Sequence, residues 1–365
     1  MILHLRIIAK SQESSKRKDI ISNIMLVEDF DYVLPPELIA QEPLERRDAS
    51  RLLILDKYNG AIRHSMFSRL GEELQNGDLL VLNDTKVLPA RLFATKESGA
   101  KIELLLLKQD GLSTWQCLAH PAKKVLPGTQ LFFALPELTA VVTAVGAEGI
   151  RLVEFQYTGD FFPILERLGR MPLPPYIKKE LKDQSRYQVI YARELGSAAA
   201  PTAGLHFTLY LLNELAERYG IDTAYLTLHV GLGTFRPVKA KQVEDHIMHS
   251  EYYRLDEANA AKINAARAAG RRVIAVGTTS VRTLESIADD QGGVCAKEGH
   301  TEAYIYPGYR FKLIDGLITN FHLPKSTLIM LISALAGREN VLNAYQAAIE
   351  ERYRFFSFGD SMLIL

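Results

Sequence analysis

Apolar and polar positions change their rhythm along the chain. Beyond residue 157 they alternate between helix and strand periods. Leu209, Leu212, Leu215, Ala216 and Tyr219 recur at spacings of three and four, which predicts a helix, and Gly220 suits its left-handed end. Residues 257–269 predict a second helix, capped by Asp256 and closed by Gly270. Further helices are predicted at 278–287, 326–336 and 339–353. Short apolar runs at 223–229, 272–277 and 317–321 predict strands between them. That alternation predicts an α/β fold with a largely parallel sheet.

Residues 78–157 read differently. Strand-like runs at 79–82, 90–95, 101–107, 114–120, 129–133, 138–145 and 150–156 follow one another with little helix. Ser98-Gly99, Asp110-Gly111, Pro127-Gly128 and Gly146 separate them. Such a series predicts a small β-barrel. Mixed sequence on both sides makes it an insert. Upstream, 34–40 predicts a short helix begun by proline, 52–56 a buried strand, Asn59-Gly60 a hairpin turn, and 67–74 a short amphipathic helix. The expected division is an α/β domain of 25–77 and 158–365, with 78–157 as an inserted barrel. Trp115 is expected in a core. Residues 1–24 read as a leader outside the core, with Met25 as the expected start and a basic arm as the alternative.

Composition adds boundaries. The chain has 365 residues, 47% of them apolar, enough for a well-filled core. Its 43 basic and 43 acidic residues cancel, so no global charge advertises nucleic acid or membrane, although a local basic face stays possible. Cys117 and Cys295 show neither metal nor disulfide spacing, which suits a reducing cytosol. No stretch reaches the roughly 18 apolar residues of a membrane span. A cytoplasmic monomer is expected.

Candidate chemistry centres on 196–207, a loop of small residues leading into the first of these helices, with His206 at the junction. Two readings stand: a loop kept small for packing, or one that lets a ligand approach the backbone. Other strands also end in small polar or histidine-bearing turns, at His229-Val-Gly231, Thr278-Thr-Ser280 and Asn320-Phe-His322. In an α/β sheet, ligands bind beyond the carboxyl ends of strands. Thr278, Thr279 and Ser280 open a helix and suit a carboxylate or phosphate; Arg282 could pair with the same anion. Helix capping is the other reading of Ser280. Asp84 follows a strand, near Lys86 and Arg91, and reads either as a surface ion-pair partner or as a general base. His246 and His249 would share a face on a helix, but with no third ligand in view no metal is expected. The stretch 171–177 is stiffened by prolines, as a hinge or a cleft wall. The tail 353–358 alternates aromatics with a cation, for a nucleobase or for a core. Neither G-x-G-x-x-G nor the Walker A pattern occurs, so NAD and ATP are not the default ligands.

Taken together, these segments resemble the S-adenosylmethionine:tRNA ribosyltransferase-isomerases of queuosine biosynthesis. The matching stretches are Asn83-Asp-Thr-Lys-Val-Leu-Pro-Ala-Arg91, Arg170-Met-Pro-Leu-Pro-Pro-Tyr176, Ala200-Pro-Thr-Ala-Gly-Leu-His-Phe207 and Leu228-His-Val-Gly231 with Gly233-Thr-Phe-Arg-Pro237. Ala275-Val-Gly-Thr-Thr-Ser-Val-Arg-Thr-Leu-Glu285, Tyr306-Pro-Gly-Tyr309, Leu317-Ile-Thr-Asn-Phe-His-Leu-Pro324 and Tyr353-Arg-Phe-Phe-Ser-Phe-Gly-Asp360 follow in order. The likeness runs from about Leu26 to the C-terminus.

The resemblance implies a large α/β domain with an inserted β-barrel. It implies transfer and isomerisation of the ribosyl moiety of S-adenosylmethionine onto 7-aminomethyl-7-deazaguanine at the tRNA wobble position. The product would be epoxyqueuosine, with adenine and methionine released. S-adenosylmethionine would be consumed as donor, and tRNA would be the partner. His206, His229, His322 and Asp84 would be the proton-transfer candidates, His206 first. Thr202, Gly204, Phe207, Gly231, Thr278, Thr279, Ser280, Arg282 and Asn320 would line the substrate, with Phe207 against the sulfonium. Arg91, Lys123, Lys124, Lys178, Lys179 and Phe358 would hold tRNA. Two other classes compete: a methyltransferase, which would leave S-adenosylhomocysteine, and a non-catalytic RNA-binding module, which would leave the histidine turns without a task.

Overall fold

The computed structural model describes residues 24–231 and 238–365, apart from the side chain of Glu148. The expected leader lies outside these residues except for Ile24, and so does Gly233-Thr-Phe-Arg-Pro237. Strands in the first half are β1 (Arg51–Leu55), β2 (Ile62–Met66), β3 (Leu79–Asn83), β4 (Thr85–Val87), β5 (Arg91–Thr95), β6 (Lys101–Gln109), β7 (Thr114–His120), β8 (Gln130–Phe132), β9 (Leu138–Val145) and β10 (Arg151–Tyr157). They continue with β11 (Glu194–Ser197), β12 (Asp222–Leu228), β13 (Glu251–Leu255), β14 (Val273–Val276), β15 (Lys297–Thr301), β16 (Gly316–Asn320) and β17 (Ser361–Ile364).

A nine-stranded sheet has the order β15-β13-β12-β3-β14-β16-β17-β1-β2. Its centre, β12, β3, β14 and β16, is parallel. Antiparallel pairs flank it, except that β17 and β1 run parallel, so the sheet as a whole is mixed. β3 is buried at every position, which fits a central strand covered on both faces. Leu79 and Val81 enter one apolar core and Leu80 and Leu82 the other, because successive side chains point to opposite faces. Helices Glu257–Ala268, Thr278–Ile287, Thr327–Ala336 and Arg338–Glu350 supply the first core, and Leu209–Tyr219 supplies the second. That last helix starts where Thr208 Oγ1 accepts from Leu211 N at 3.0 Å and ends at Gly220, φ +64°.

The barrel closes from six strands, β10-β7-β6-β5-β8-β9. Leu92, Leu104, Val153 and Trp115 fill it, and Trp115 meets the Phe161 ring at 5.8 Å between centroids. The run at 79–82, expected as the first barrel strand, is instead β3 in the sheet. The physical difference is burial on both faces, against the alternation of a barrel strand such as β6. Chain leaves for the barrel and returns from it at one place. β4 pairs with β11, and Arg91 and Arg170 exchange both backbone hydrogen bonds, at 3.1 and 2.9 Å. The helix expected at 34–40 is a single 3₁₀ turn, Pro36–Leu38. Residues 246–250 are irregular, so His246 and His249 share no helix face.

Candidate active site

A cleft opens beyond the carboxyl ends of β12, β14 and β16, where the parallel centre of the sheet meets its neighbours. Residues 200–203, 277–279, 319–323 and 356–357 wall it, with Tyr176, Val230, Ser326 and Leu328. The proline-rich stretch is therefore a wall. Thr202, Thr278, Thr279, Asn320 and His322 are the expected site residues that meet here.

Helix Thr278–Ile287 points its start into this cleft. Gly277, φ +86° and ψ 151°, precedes it, and no side chain caps it. The first N–H groups of a helix have no intrahelical acceptor, so this end attracts an anion. Asn83 Nδ2 holds the Thr279 hydroxyl at 3.1 Å and the Leu228 carbonyl at 3.0 Å, which locks the turn to β12.

His322 is the histidine that lines the cleft. Its Nε2 lies 2.8 Å from Thr319 Oγ1, and its backbone is held by the Tyr345 and Tyr32 hydroxyls. Nδ1 has no hydrogen-bond partner among the described residues. Burial pushes this imidazole down to about 3, so it is neutral at neutral pH. Tyr176 lines the same cleft, with its hydroxyl 2.7 Å from Ser357 Oγ. Burial pushes that phenol up to about 12, which keeps it protonated. Among the described lining residues, these two are the side chains able to exchange a proton, and no carboxylate is present.

His206 lies behind the cleft floor. Its Nε2 is 3.0 Å from Asn320 Nδ2, and its Nδ1 is 2.8 Å from Ser50 Oγ. Phe67 packs on the ring at 5.0 Å. Burial, then Arg354 and Arg47, pushes it down to about 3. Both nitrogens are engaged, so His206, expected first in proton transfer, reaches the cleft only through Asn320.

Asp84 and His229 form a separate cluster at the end of β12. His229 Nδ1 is 2.8 Å from Thr85 Oγ1, and its ring stacks on Tyr252 at 5.4 Å. Burial lowers the His229 pKa against an opposing effect of Glu194. Asp84 Oδ1 accepts from Thr227 Oγ1 at 2.7 Å, and burial raises its pKa. Asn83 joins this cluster to Thr279 and the cleft.

Several expected contacts fall elsewhere, for local reasons. Arg282 is buried and pairs with Glu251, whose other oxygen accepts from Gly231 N at 2.8 Å; the guanidinium also donates to the Ala303 carbonyl at 3.0 Å. It braces β13 to the helix and does not line the cleft. Ser280 Oγ donates to the Val276 carbonyl at 2.7 Å, so local bonding accounts for it. Phe207 is fully buried edge-on to Phe67, and no part of it meets the cleft; the aromatic wall is made by Phe321, Phe356 and Tyr176. Gly204 is small for packing: a Cβ there would sit 2.2 Å from the Tyr191 hydroxyl. Phe358 is buried edge-on to Tyr187 and lines neither the cleft nor the basic groove.

Sequence reasoning missed Ser50, Thr319 and Ser357 as site residues. Ser50 carried no signal, because its partner is 156 positions away. Phe356 and Ser357 sat inside a quoted motif but looked like core. Phe356 has φ +70°, a conformation costly for an aromatic residue.

A groove of about 470 Å³ lies between the barrel and the proline-rich wall. Arg91, Arg170, Lys178 and Lys179 line it, with Phe93. Phe93 is half exposed, and the Arg170 guanidinium sits 5.2 Å from its ring centre. Lys179 pairs with Glu42 at 3.2 Å, Arg91 with Glu103 at 3.3 Å and Arg170 with Glu180 at 2.5 Å, while Lys178 donates to the Pro175 carbonyl at 2.6 Å. Lys123 and Lys124 lie on a barrel turn away from this lining. Pro175 and Ile177 face the groove while Tyr176 between them faces the cleft, so one segment is the wall of both.

Comparison with known proteins agrees with this architecture. The S-adenosylmethionine:tRNA ribosyltransferase-isomerase of Acetivibrio thermocellus is 58% identical over 341 residues, 93% of this chain and 100% of that protein. The crystal structure of the S-adenosylmethionine tRNA ribosyltransferase of Thermotoga maritima is 40% identical, with a TM-score of 0.53, over 92% of this chain and 100% of that one. The family described as queuosine biosynthesis protein matches residues 27–364, a span that holds the sheet, the barrel and every cleft residue named above. The chain belongs to that family.

Proposed function

We infer that this chain is an enzyme that transfers and isomerises the ribosyl moiety of S-adenosylmethionine onto 7-aminomethyl-7-deazaguanine at the tRNA wobble position. Epoxyqueuosine would form in the tRNA, with adenine and methionine released. The observation that carries the reading is one cleft lined together by an uncapped helix start, aromatic side chains and a neutral histidine. The sulfonium of the donor acidifies the neighbouring ribose carbon.

The chain's own residues then have separable tasks. The N–H groups at Thr278 and Thr279 receive the methionine carboxylate. His322, neutral through burial, adds no positive charge beside the sulfonium before the proton moves; with Nε2–H donated to Thr319 Oγ1, the Nδ1 lone pair takes the ribose proton and the ring carries the charge until it passes the proton on. The Tyr176 hydroxyl supplies a donor toward the leaving base. His229 and Asp84 hold the β12 end of the site in shape. This assignment calls for no metal.

The groove next to the cleft takes the tRNA. Exposed ion pairs are worth about 0.2–1 kcal/mol each, so phosphates can displace the acidic partners of Arg91, Arg170 and Lys179. Phe93 offers a face for a splayed anticodon base. Incubation of precursor tRNA with S-adenosylmethionine labelled in its ribose tests the reading. Label should enter the tRNA as adenine and methionine appear. Release of S-adenosylhomocysteine would instead make the protein a methyltransferase, and binding without turnover would make it an RNA-binding module.

A further inference from the structure

The Asn320 side chain has one end occupied and one end free. Its Nδ2 donates to His206 Nε2 at 3.0 Å and to the Phe356 carbonyl at 3.3 Å. A carbonyl can only accept, so the nitrogen must be on that side. His206 Nε2 then accepts, and its Nδ1 carries the proton toward Ser50 Oγ at 2.8 Å. The order Asn320, His206, Ser50 therefore has one polarity. It leaves Asn320 Oδ1 buried without a hydrogen-bond partner among the described residues, in a residue that lines the cleft. A buried acceptor left unpaired is costly, and a ligand donor removes that cost. Phe356 holds its strained φ of +70° with its carbonyl on the same amide, and its ring meets Tyr176 at 4.8 Å. Asn320 lines the cleft beside Phe356 and Tyr176, so a planar ring stacked against these aromatics would lie next to this amide.

We propose that Asn320 Oδ1 recognises an N–H donor on a purine-type nucleobase, and that His206 is the positioning residue that turns the amide to present it. This rests on the ribosyl-transfer reading, which supplies two such bases: the adenine of the donor and the 7-deazaguanine of the acceptor. His206 acts through Asn320 and touches neither.

Calorimetry on the full chain without tRNA is the first arm. It compares S-adenosylmethionine with the analogue whose purine carries hydrogen in place of the amino group. If adenine is the base, the analogue binds about tenfold or more weakly. The second arm measures the KM for each substrate in Asn320→Ala. If deazaguanine is the base, the analogue binds normally and only the tRNA KM rises. His206→Leu should lose whichever preference the wild type shows. His206→Gln, which can accept from Asn320 and donate to Ser50, should restore it; a merely structural role would not distinguish the two. Equal binding of the analogue together with unchanged KM values in Asn320→Ala would overturn the proposal. The analogue arm uses wild-type protein, so it stands even if a variant fails to fold. Amine discrimination in an enzyme that transfers no ribose would sink the ribosyl-transfer reading and leave the recognition intact.

Discussion

At the scale of single residues, burial keeps His322 in the cleft and His206 behind it neutral. For His322→Gln we expect kcat to fall on the order of 10²-fold or more, in keeping with loss of a proton-transfer group, while circular dichroism stays native. Undiminished turnover would remove His322 from the mechanism. Burial also ties stability to pH. His206 and His322 sit at about 3 when folded, against an ordinary 6.5 when unfolded. Between those values the unfolded chain binds more protons, so stability is full above about 6.5 and is lost as the pH falls toward 3. The loss should approach about 1.4 kcal/mol per pH unit for each histidine. Urea titrations from pH 7 to pH 4 read that slope, and it should be smaller in His206→Gln. An unchanged slope would contradict a neutral buried His206. The histidines themselves were legible in the sequence, because His322 follows a strand in a short polar turn and His206 closes a loop of small residues before a helix. Their ranking was not. His206 is engaged by Asn320, 114 positions away, and such partners leave no mark on local pattern.

At the scale of elements, the start of helix Thr278–Ile287 matters most. Gly277 holds φ +86°, which side chains rarely adopt, although an added Cβ would meet ordinary contacts at 3.6 Å. Gly277→Ala should therefore cost on the order of 1–3 kcal/mol through the backbone and raise the KM for S-adenosylmethionine more than the KM for tRNA. Thermal melts and initial rates check both; an unshifted melting temperature would mean the turn relaxes freely. Helix Leu209–Tyr219 and the β1–β2 hairpin were readable because their signals, the three-and-four apolar spacing, Gly220 and Asn59-Gly60, are local. β3 was misplaced because a short apolar run does not declare its sheet. Arg282 was misread for the same reason, since Glu251 comes from a strand that periodicity did not single out.

For the whole molecule, the parallel centre of the sheet and the barrel could both be anticipated, and the groove beside the barrel could not, since it exists only once the two meet. Replacing Arg170 and Lys178 together with Gln should raise the tRNA KM several-fold, leave S-adenosylmethionine binding unchanged, and lower the salt dependence of tRNA binding by roughly two phosphate contacts. A salt slope equal to wild type would place the RNA elsewhere. The paired crossing of Arg91 with Arg170 has a further consequence, for chain entropy. Because the barrel leaves and re-enters the sheet at one point, the core experiences it as a single closed loop. Doubling the length of such a loop costs only about 0.6 kcal/mol. Insertions or deletions at barrel turns such as Asp110-Gly111 or Pro127-Gly128 should thus be nearly free for the sheet, and the barrel can be reshaped while the cleft keeps its geometry.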